Sequence, residues 1–358
     1  MSQLLVPRRA KSEPSSWRST SLSLASAPDP DANDASRIDR RKRDSSLSCI
    51  VPCYNEAANL DTLLLRLLDA VSALVDDWEI ILVDDGSSDD TPQLLARWSR
   101  YQGVRSIQLS RNFGKEAALS AGLQAARGDV VVMLDADLQH EPELIAEMLR
   151  KWREGADMVY AVRLNRKDEK AYKRLGARLF YNLVNAADRF EVPSGAGDFR
   201  LMDRQCVDAL LALPERNRFM KGLYAWVGFT TAAVPYTPAA RAHGSSRFRP
   251  WQLLRLSLDG LTSFTTWPLR AVSLVGVSLA IVALLYGAFL TLEYLLYGHD
   301  IGGWTTIVVS LMLFAGIQMI SLGVVGEYVG RIFEECKGRP LFVVKRELGR
   351  GLNKRTGP

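Results

Sequence analysis

Three short apolar runs mark the first half of the chain: Leu47–Pro52, Trp78–Val83 and Val130–Leu134. Each closes on carboxylates or turn residues and leads into a stretch whose apolar positions recur at helical spacing. That spacing predicts helices over Ala57–Val75, Asp89–Arg100, Glu116–Ala126 and Pro142–Arg153. Strands alternating with helices predict an α/β fold, with a mostly parallel sheet covered on both faces. Ligands of such sheets bind beyond the carboxyl ends of the strands. The polar clusters Cys53-Tyr54-Asn55-Glu56, Asp84-Asp85-Gly86-Ser87 and Asp135-Ala136-Asp137 fall there, so three strand ends point to one site.

After Asp157 the pattern loosens into helix-rich segments, of which Lys170–Asp188 is the clearest. Further on, Ala271–Leu292 and Ile307–Val325 carry no charge, and each is long enough to span a hydrocarbon core. The short loop between them holds His299 and Asp300 but no Lys or Arg. Both outer flanks are basic, with Arg255 and Arg270 before and Arg331, Lys337, Arg339 and Lys345 after. The positive-inside rule then places both termini in the cytoplasm and the loop outside. A buried helical hairpin of a soluble protein is the alternative. Pro250–Trp267 carries Leu253, Leu254, Leu258, Leu261 and Phe264 on one helical face. That stripe suits a helix in the membrane interface, and equally one packed on the soluble domain.

Charge adds little: 45 basic against 40 acidic residues leave a net +5. That excess suits an anionic membrane surface or a phosphate substrate and gives no case for nucleic acid. The 4 cysteines form no C-x-x-C pair, which predicts structural thiols in a reducing compartment. Residues 1–45 lack the apolar core of a signal peptide and are expected to be a disordered extension, with Arg40–Arg43 a solvated linker. The organisation that follows is an extension (1–45), a catalytic domain (46–249), a juxtamembrane helix (250–268), a two-helix hairpin (269–330) and a cytoplasmic tail (331–358).

Asp135 and Asp137, two apart at a strand end, project to the same side, and Gln139 adds a carbonyl oxygen two residues on. An all-oxygen set of this kind suits Mg²⁺ or Mn²⁺, with substrate phosphates completing the coordination. Asp84 can hold a nucleobase edge or a ribose hydroxyl, while Asp89 can cap the next helix. Asp85 is open between these two roles.

The stretch from Leu47 to about Phe248 resembles the inverting family 2 glycosyltransferases of GT-A fold. Within them it resembles the polyprenyl-phosphate sugar transferases, which include dolichol-phosphate mannose synthase and, nearer still, the bactoprenol glucosyltransferases. The resemblance rests on Val51–Glu56, Val83–Ser87, Arg111–Glu116, Asp135–Gln139, Gly197–Leu201, Arg218–Gly222 and Gly244–Phe248, in that order, with the two apolar segments following. It implies that Pro52, Tyr54, Glu56 and Asp84 hold the nucleotide of a nucleotide-sugar, UDP-glucose being the expected donor. Lys115, Asp135, Ala136, Asp137 and Gln139 would surround the metal and diphosphate, and Arg241 and Arg247 would close over the phosphates. At Arg247 many relatives have Lys, which changes the hydrogen-bonding geometry.

The implied acceptor is undecaprenyl phosphate at the inner membrane, and a homo-oligomer is expected. A phosphate monoester has its second pKa at about 6, so the acceptor oxygen scarcely needs a base. Asp198, at the position of the family's candidate base, is expected to orient the acceptor or an arginine. Arg163, Lys173 and Arg174 are the candidate cations for the lipid phosphate. A processive polysaccharide synthase would carry a Gln-x-x-Arg-Trp motif and more spans, and neither is present. A non-catalytic scaffold of the same fold would be expected to have lost Asp137 or its neighbours.

Overall fold

The computed structural model describes residues 45–163, 196–216, 218–237, 267–297 and 303–353. The catalytic part runs β1 (Leu47–Cys53), α1 (Ala57–Ser72), β2 (Trp78–Asp84), α2 (Thr91–Trp98), β3 (Val104–Leu109), α3 (Lys115–Ala125), β4 (Val130–Met133) and α4 (Leu144–Arg153). It continues through β5 (Met158–Arg163), β6 (Ala196–Asp203), α5 (Arg204–Ala212), α6 (Met220–Trp226) and β7 (Thr231–Tyr236). Two long helices, α7 (Trp267–Tyr297) and α8 (Trp304–Cys336), precede the last strand, β8 (Val344–Gly349).

All eight strands form one sheet in the order β7-β5-β6-β4-β1-β2-β3-β8. The strands β4, β1, β2 and β3 are mutually parallel, β5 and β7 are parallel to each other, and β6 and β8 run antiparallel to their neighbours. The central strands are buried along nearly their whole length because helices cover both faces. Leucines of α1, Leu95 of α2 and Ile145, Met148 and Trp152 of α4 build the core on one face. Residues of α3, α5 and α6 build the other, with Tyr224 and Met220 fully enclosed.

The helices α7 and α8 are long and apolar enough to cross a membrane. Their candidate spans, Ala271–Leu296 and Thr306–Cys336, have mean hydropathies of 2.3 and 2.2, and none of the apolar window is buried in the protein. Leu274, Leu284, Leu295, Met312 and Ile320 all stand exposed. Helices of a soluble core would be covered, so the buried-hairpin alternative is not what the fold contains.

The C-terminal segment differs from the expected tail. Helix α8 runs on to Cys336, and Val344–Gly349 returns to the catalytic sheet as an edge strand on β3. The pairing is extended by Ser110 N–H to Val343 O at 2.8 Å and Gly103 N–H to Arg350 O at 3.1 Å. Beneath it Arg105 of β3 reaches Glu79 of β2 at 3.0 Å and also Glu347 of β8, with Glu79 wholly buried. Gly349, at φ +86°, lies where a Cβ would come within 2.2 Å of Val104 O, so only glycine fits this crossing. The strand β3 was not expected from sequence, nor were β5 to β7.

Several expectations lie outside the described residues. These are the extension up to residue 44 with Arg40–Arg43, the helix over Lys170–Asp188 with Lys173 and Arg174, the segment holding Arg241 and Arg247, the whole juxtamembrane stripe, and the loop around His299.

Candidate active site

Parallel strands deliver their carboxyl ends to one edge of the sheet, and β6, running the other way, begins there. Cys53 pairs with Asp84 across β1 and β2, Ile50 pairs with Met133 across β1 and β4, and Met133 pairs with Arg200 across β4 and β6. This register brings Pro52, Asp84, Asp135 and Asp198 to a common edge, although up to 146 residues separate them in sequence.

The centre is an ion cluster. Lys115, the first residue of α3, places Nζ 2.6 Å from Asp135 Oδ1 and 2.6 Å from Asp198 Oδ2. Burial works against the charge on Lys115, but Asp135 and Asp198 more than offset it and raise its pKa. Burial likewise opposes ionisation of Asp198, but Lys115 and then Lys221 outweigh it and hold the carboxyl below its ordinary range. Asp198 is therefore an ion-paired carboxylate at neutral pH, fixed by the cation beside it.

Past the end of β4, exposure alternates: Asp135, Asp137 and Gln139 are partly open, while Ala136, Leu138 and His140 are buried. The turn is held by Leu138 in the left-handed region at φ +58°, an uncommon conformation for a side chain of this size. Gln139 N–H donates to Asp137 Oδ1 at 3.2 Å. His140 lies between the rings of Phe199 and Tyr236, at 5.1 and 5.2 Å, with Nε2 3.9 Å from Asp135 Oδ2. Burial, partly opposed by Asp135, lowers its pKa and keeps the imidazole neutral.

Glu56 follows β1, and burial pushes its carboxyl up. Asn59 opposes the shift with a 2.7 Å hydrogen bond, while Asp137 and Asp135 add to it. Carboxylates from two strand ends thus share one negative field. Among the described residues no three His, Cys, Asp or Glu side chains form a ready metal cage. A pair of partly open carboxylates in such a field fits a divalent ion that takes one or two protein ligands and the rest from phosphate.

The loops that follow β1 and β2 are fastened by the acidic residues. Asp84 is buried, and its Oδ1 accepts Ser87 N–H at 2.9 Å. Asp85 proves structural: its two oxygens accept Phe113 N–H at 2.7 Å and Gly114 N–H at 2.9 Å, fixing the entry to α3 and so Lys115. Asp89 accepts the first amides of both helices, Ala57 N–H at 3.2 Å and Thr91 N–H at 3.0 Å, which extends its expected capping role to α1. Tyr54 stands 47% exposed at the mouth beside Pro52.

Arg163 ends β5 in register with Tyr236, close to the start of β6. The sequence reading passed over three groups near the cluster. Glu116 is pushed up to about 7 by burial, with Asp198 adding to the shift and Lys115 and Lys221 opposing it. Arg200 is buried with its guanidinium 4.2 Å over the Tyr224 ring, and the third group is His140. The acidic sequence around His140 gave no sign that it would be buried.

The comparisons with known proteins agree with this architecture. Residues 48–211 match the Glycosyl transferase family 2 description. An uncharacterized glycosyltransferase of Synechocystis is 44% identical over 83% of this chain and 94% of its own length. An uncharacterized glycosyltransferase of Bacillus subtilis is 40% identical, over 84% and 94%. The bactoprenol glucosyl transferase of Shigella phage SfV is 39% identical, over 84% and 98%. Likeness of this depth over more than four fifths of the chain shows its family, and the chain is a glycosyltransferase of family 2.

Proposed function

We propose that the protein transfers glucose from UDP-glucose to a polyprenyl phosphate, undecaprenyl phosphate, at the cytoplasmic face of the inner membrane. The observation that carries this reading is the joining of a family 2 site to two exposed apolar helices in one chain. The bactoprenol glucosyl transferase of Shigella phage SfV, 39% identical over 84% of this chain, supports it. An acceptor that lives in the bilayer explains why a sugar transferase is built onto such a hairpin.

The reaction is a single displacement with inversion. An acceptor phosphate oxygen forms the bond to the anomeric carbon, and the bond from that carbon to the diphosphate breaks, releasing the nucleoside diphosphate. Pro52, Tyr54, Glu56 and Asp84 hold the nucleoside. Asp135, Asp137 and Gln139 would hold Mg²⁺ or Mn²⁺, which supplies charge neutralisation for the departing diphosphate. Lys115 offers a cation at the same place, and Asp198, ion-paired to it, keeps it aimed. Arg163, with Lys173 and Arg174, receives the lipid phosphate, and Arg241 and Arg247 close over the donor. The acceptor is mostly dianionic above its second pKa of about 6, so positioning and electrostatics rather than proton abstraction carry the rate.

The test is transfer of labelled sugar to a short polyprenyl phosphate by the full chain in detergent, with a panel of nucleotide-sugars. Transfer from UDP-glucose is expected. Polymer formation or no transfer from any donor would overturn the reading.

A further inference from the structure

Between α2, β3 and β8 lies a cavity of about 240 Å³, lined by Asp84, Gln93, Leu95, Gln108, Arg346 and Leu348 among others. Asp84, one of its lining residues, is 1% exposed. Asp84 Oδ1 is taken by Ser87 N–H, while Oδ2 is buried and has no hydrogen-bond partner. A buried carboxylate oxygen without a donor is a costly arrangement, and it is relieved by a ligand that brings one. Around it the cavity offers donors of its own: the amides of Gln93 and Gln108 and the guanidinium of Arg346, which can only donate. Arg346 lies directly across from Gln108 in the β3–β8 pairing. Leu95 and Leu348 supply apolar walls.

This set complements one N–H flanked by carbonyl oxygens on a flat ring, the imide edge of uracil. Guanine presents two adjacent N–H groups, and only one oxygen of Asp84 is open to receive them. We propose that β8 is part of the donor site, with Arg346 donating to a carbonyl of the donor's uracil ring while Asp84 Oδ2 accepts its ring N–H. The proposal deepens the reading of the donor as a UDP-sugar and rests on it. The strand that completes the base pocket forms only from the chain that follows the apolar hairpin. Nucleotide binding therefore depends on a segment that no motif of the catalytic domain includes.

The test is calorimetric titration of the full chain in detergent with uridine and, separately, with UDP. Uridine carries no phosphate, so it reports the base and ribose contacts alone. Arg346→Ala is expected to weaken uridine and UDP by the same factor of about ten, the loss of one hydrogen bond from a charged donor. Lys345→Ala, next on the strand but not among the residues that line the cavity, is expected to change neither. Arg346→Gln, which keeps a donor and the strand, is expected to lose less than Arg346→Ala, which guards against a loss that is merely misfolding. An unchanged uridine affinity in Arg346→Ala overturns the proposal while leaving the donor reading intact. So does a loss confined to UDP, which would put Arg346 on the phosphates. A wild-type chain that binds neither uridine nor UDP overturns the donor reading itself.

Discussion

At the scale of single residues, Lys115 organises the site. One ammonium faces two carboxylates at 2.6 Å, so the charge on Asp198 is already committed before any substrate arrives. Asp198→Asn is therefore expected to lower kcat by less than about 10²-fold, the bottom of the range for loss of a general base. Both enzymes should show an acidic limb that follows the acceptor's second ionisation, measured as kcat against pH at saturating donor. A loss beyond about 10⁴-fold with disappearance of that limb would make Asp198 the base. Removal of divalent ions with a chelator should abolish transfer and Mg²⁺ or Mn²⁺ should restore it, while Asp137→Asn stays folded and inactive; full activity in excess chelator would refute the metal assignment. Glu116 gives a stability prediction of definite sign. Its carboxyl rises from 4.5 to about 7 in the fold, so the folded state binds the proton more tightly than the unfolded chain. The contribution is fully present below about 4.5 and is lost as pH rises through about 7. Glu116→Gln should flatten that fall in the melting temperature, and an unchanged slope would show that Glu116 titrates normally. Asp135, Asp137 and Asp84 were legible in sequence because carboxylates at the ends of apolar runs stand out. The pairing of Lys115 with Asp198 was not, since 83 positions separate them and only the sheet register joins them.

At the scale of elements, the joint between β2, β3 and β8 binds the end of the chain to the catalytic sheet. Arg105 is nearly buried between a fully buried Glu79 and a half-exposed Glu347. Removing Arg105 takes away the ion-pair partner of Glu79 and leaves its buried charge held only by Ser48 Oγ and the amides of Arg127 and Leu352, expected to cost about 3 kcal/mol. Glu347→Gln removes only the exposed partner and should cost at most about 1 kcal/mol. Thermal unfolding of Arg105→Met and Glu347→Gln in detergent measures the ordering, and equal effects would show that Glu79 finds another partner. The same joint explains why these strands escaped the sequence reading. In Val104-Arg105-Ser106-Ile107-Gln108-Leu109 the polar Arg105 and Ser106 are buried, Arg105 being held by ion pairs, so the run lacks the apolar signature of β1 or β2. Val344–Gly349 reads as a charged tail because an edge strand keeps most of its side chains in water. The helices α1 to α4 were legible within a few residues, α1 and α4 carrying the clearest apolar stripes against a hydrophobic sheet.

At the scale of the whole molecule, the return of β8 constrains how the chain meets a membrane. The catalytic sheet contains strands from before α7 and one from after α8, so both outer ends of the hairpin must emerge on the side that holds the sheet. Arg270 flanks one of those ends and Arg331, Lys337, Arg339 and Lys345 the other, and the connection between the helices has neither Lys nor Arg. The positive-inside rule then predicts a cytoplasmic sheet, with the loop around His299 outside. A single cysteine at Asp300 reports this, provided that the native thiols are silent. Cys49, Cys53 and Cys206 are buried, and burial pushes the Cys49 and Cys53 thiols up, away from the reactive thiolate. Cys336 is exposed at the end of α8 and must be replaced by Ser. In the Cys336→Ser background, Asp300→Cys is expected to react with an impermeant thiol reagent applied to intact cells. Cysteines placed at Lys345 and Arg350, on the returning segment, should react only after permeabilisation. Labelling of Lys345→Cys from outside with Asp300→Cys protected would invert the orientation. Labelling of both from outside would mean that the two helices do not span together, and the sheet would then have to be assembled without a membrane between the loop and the strand.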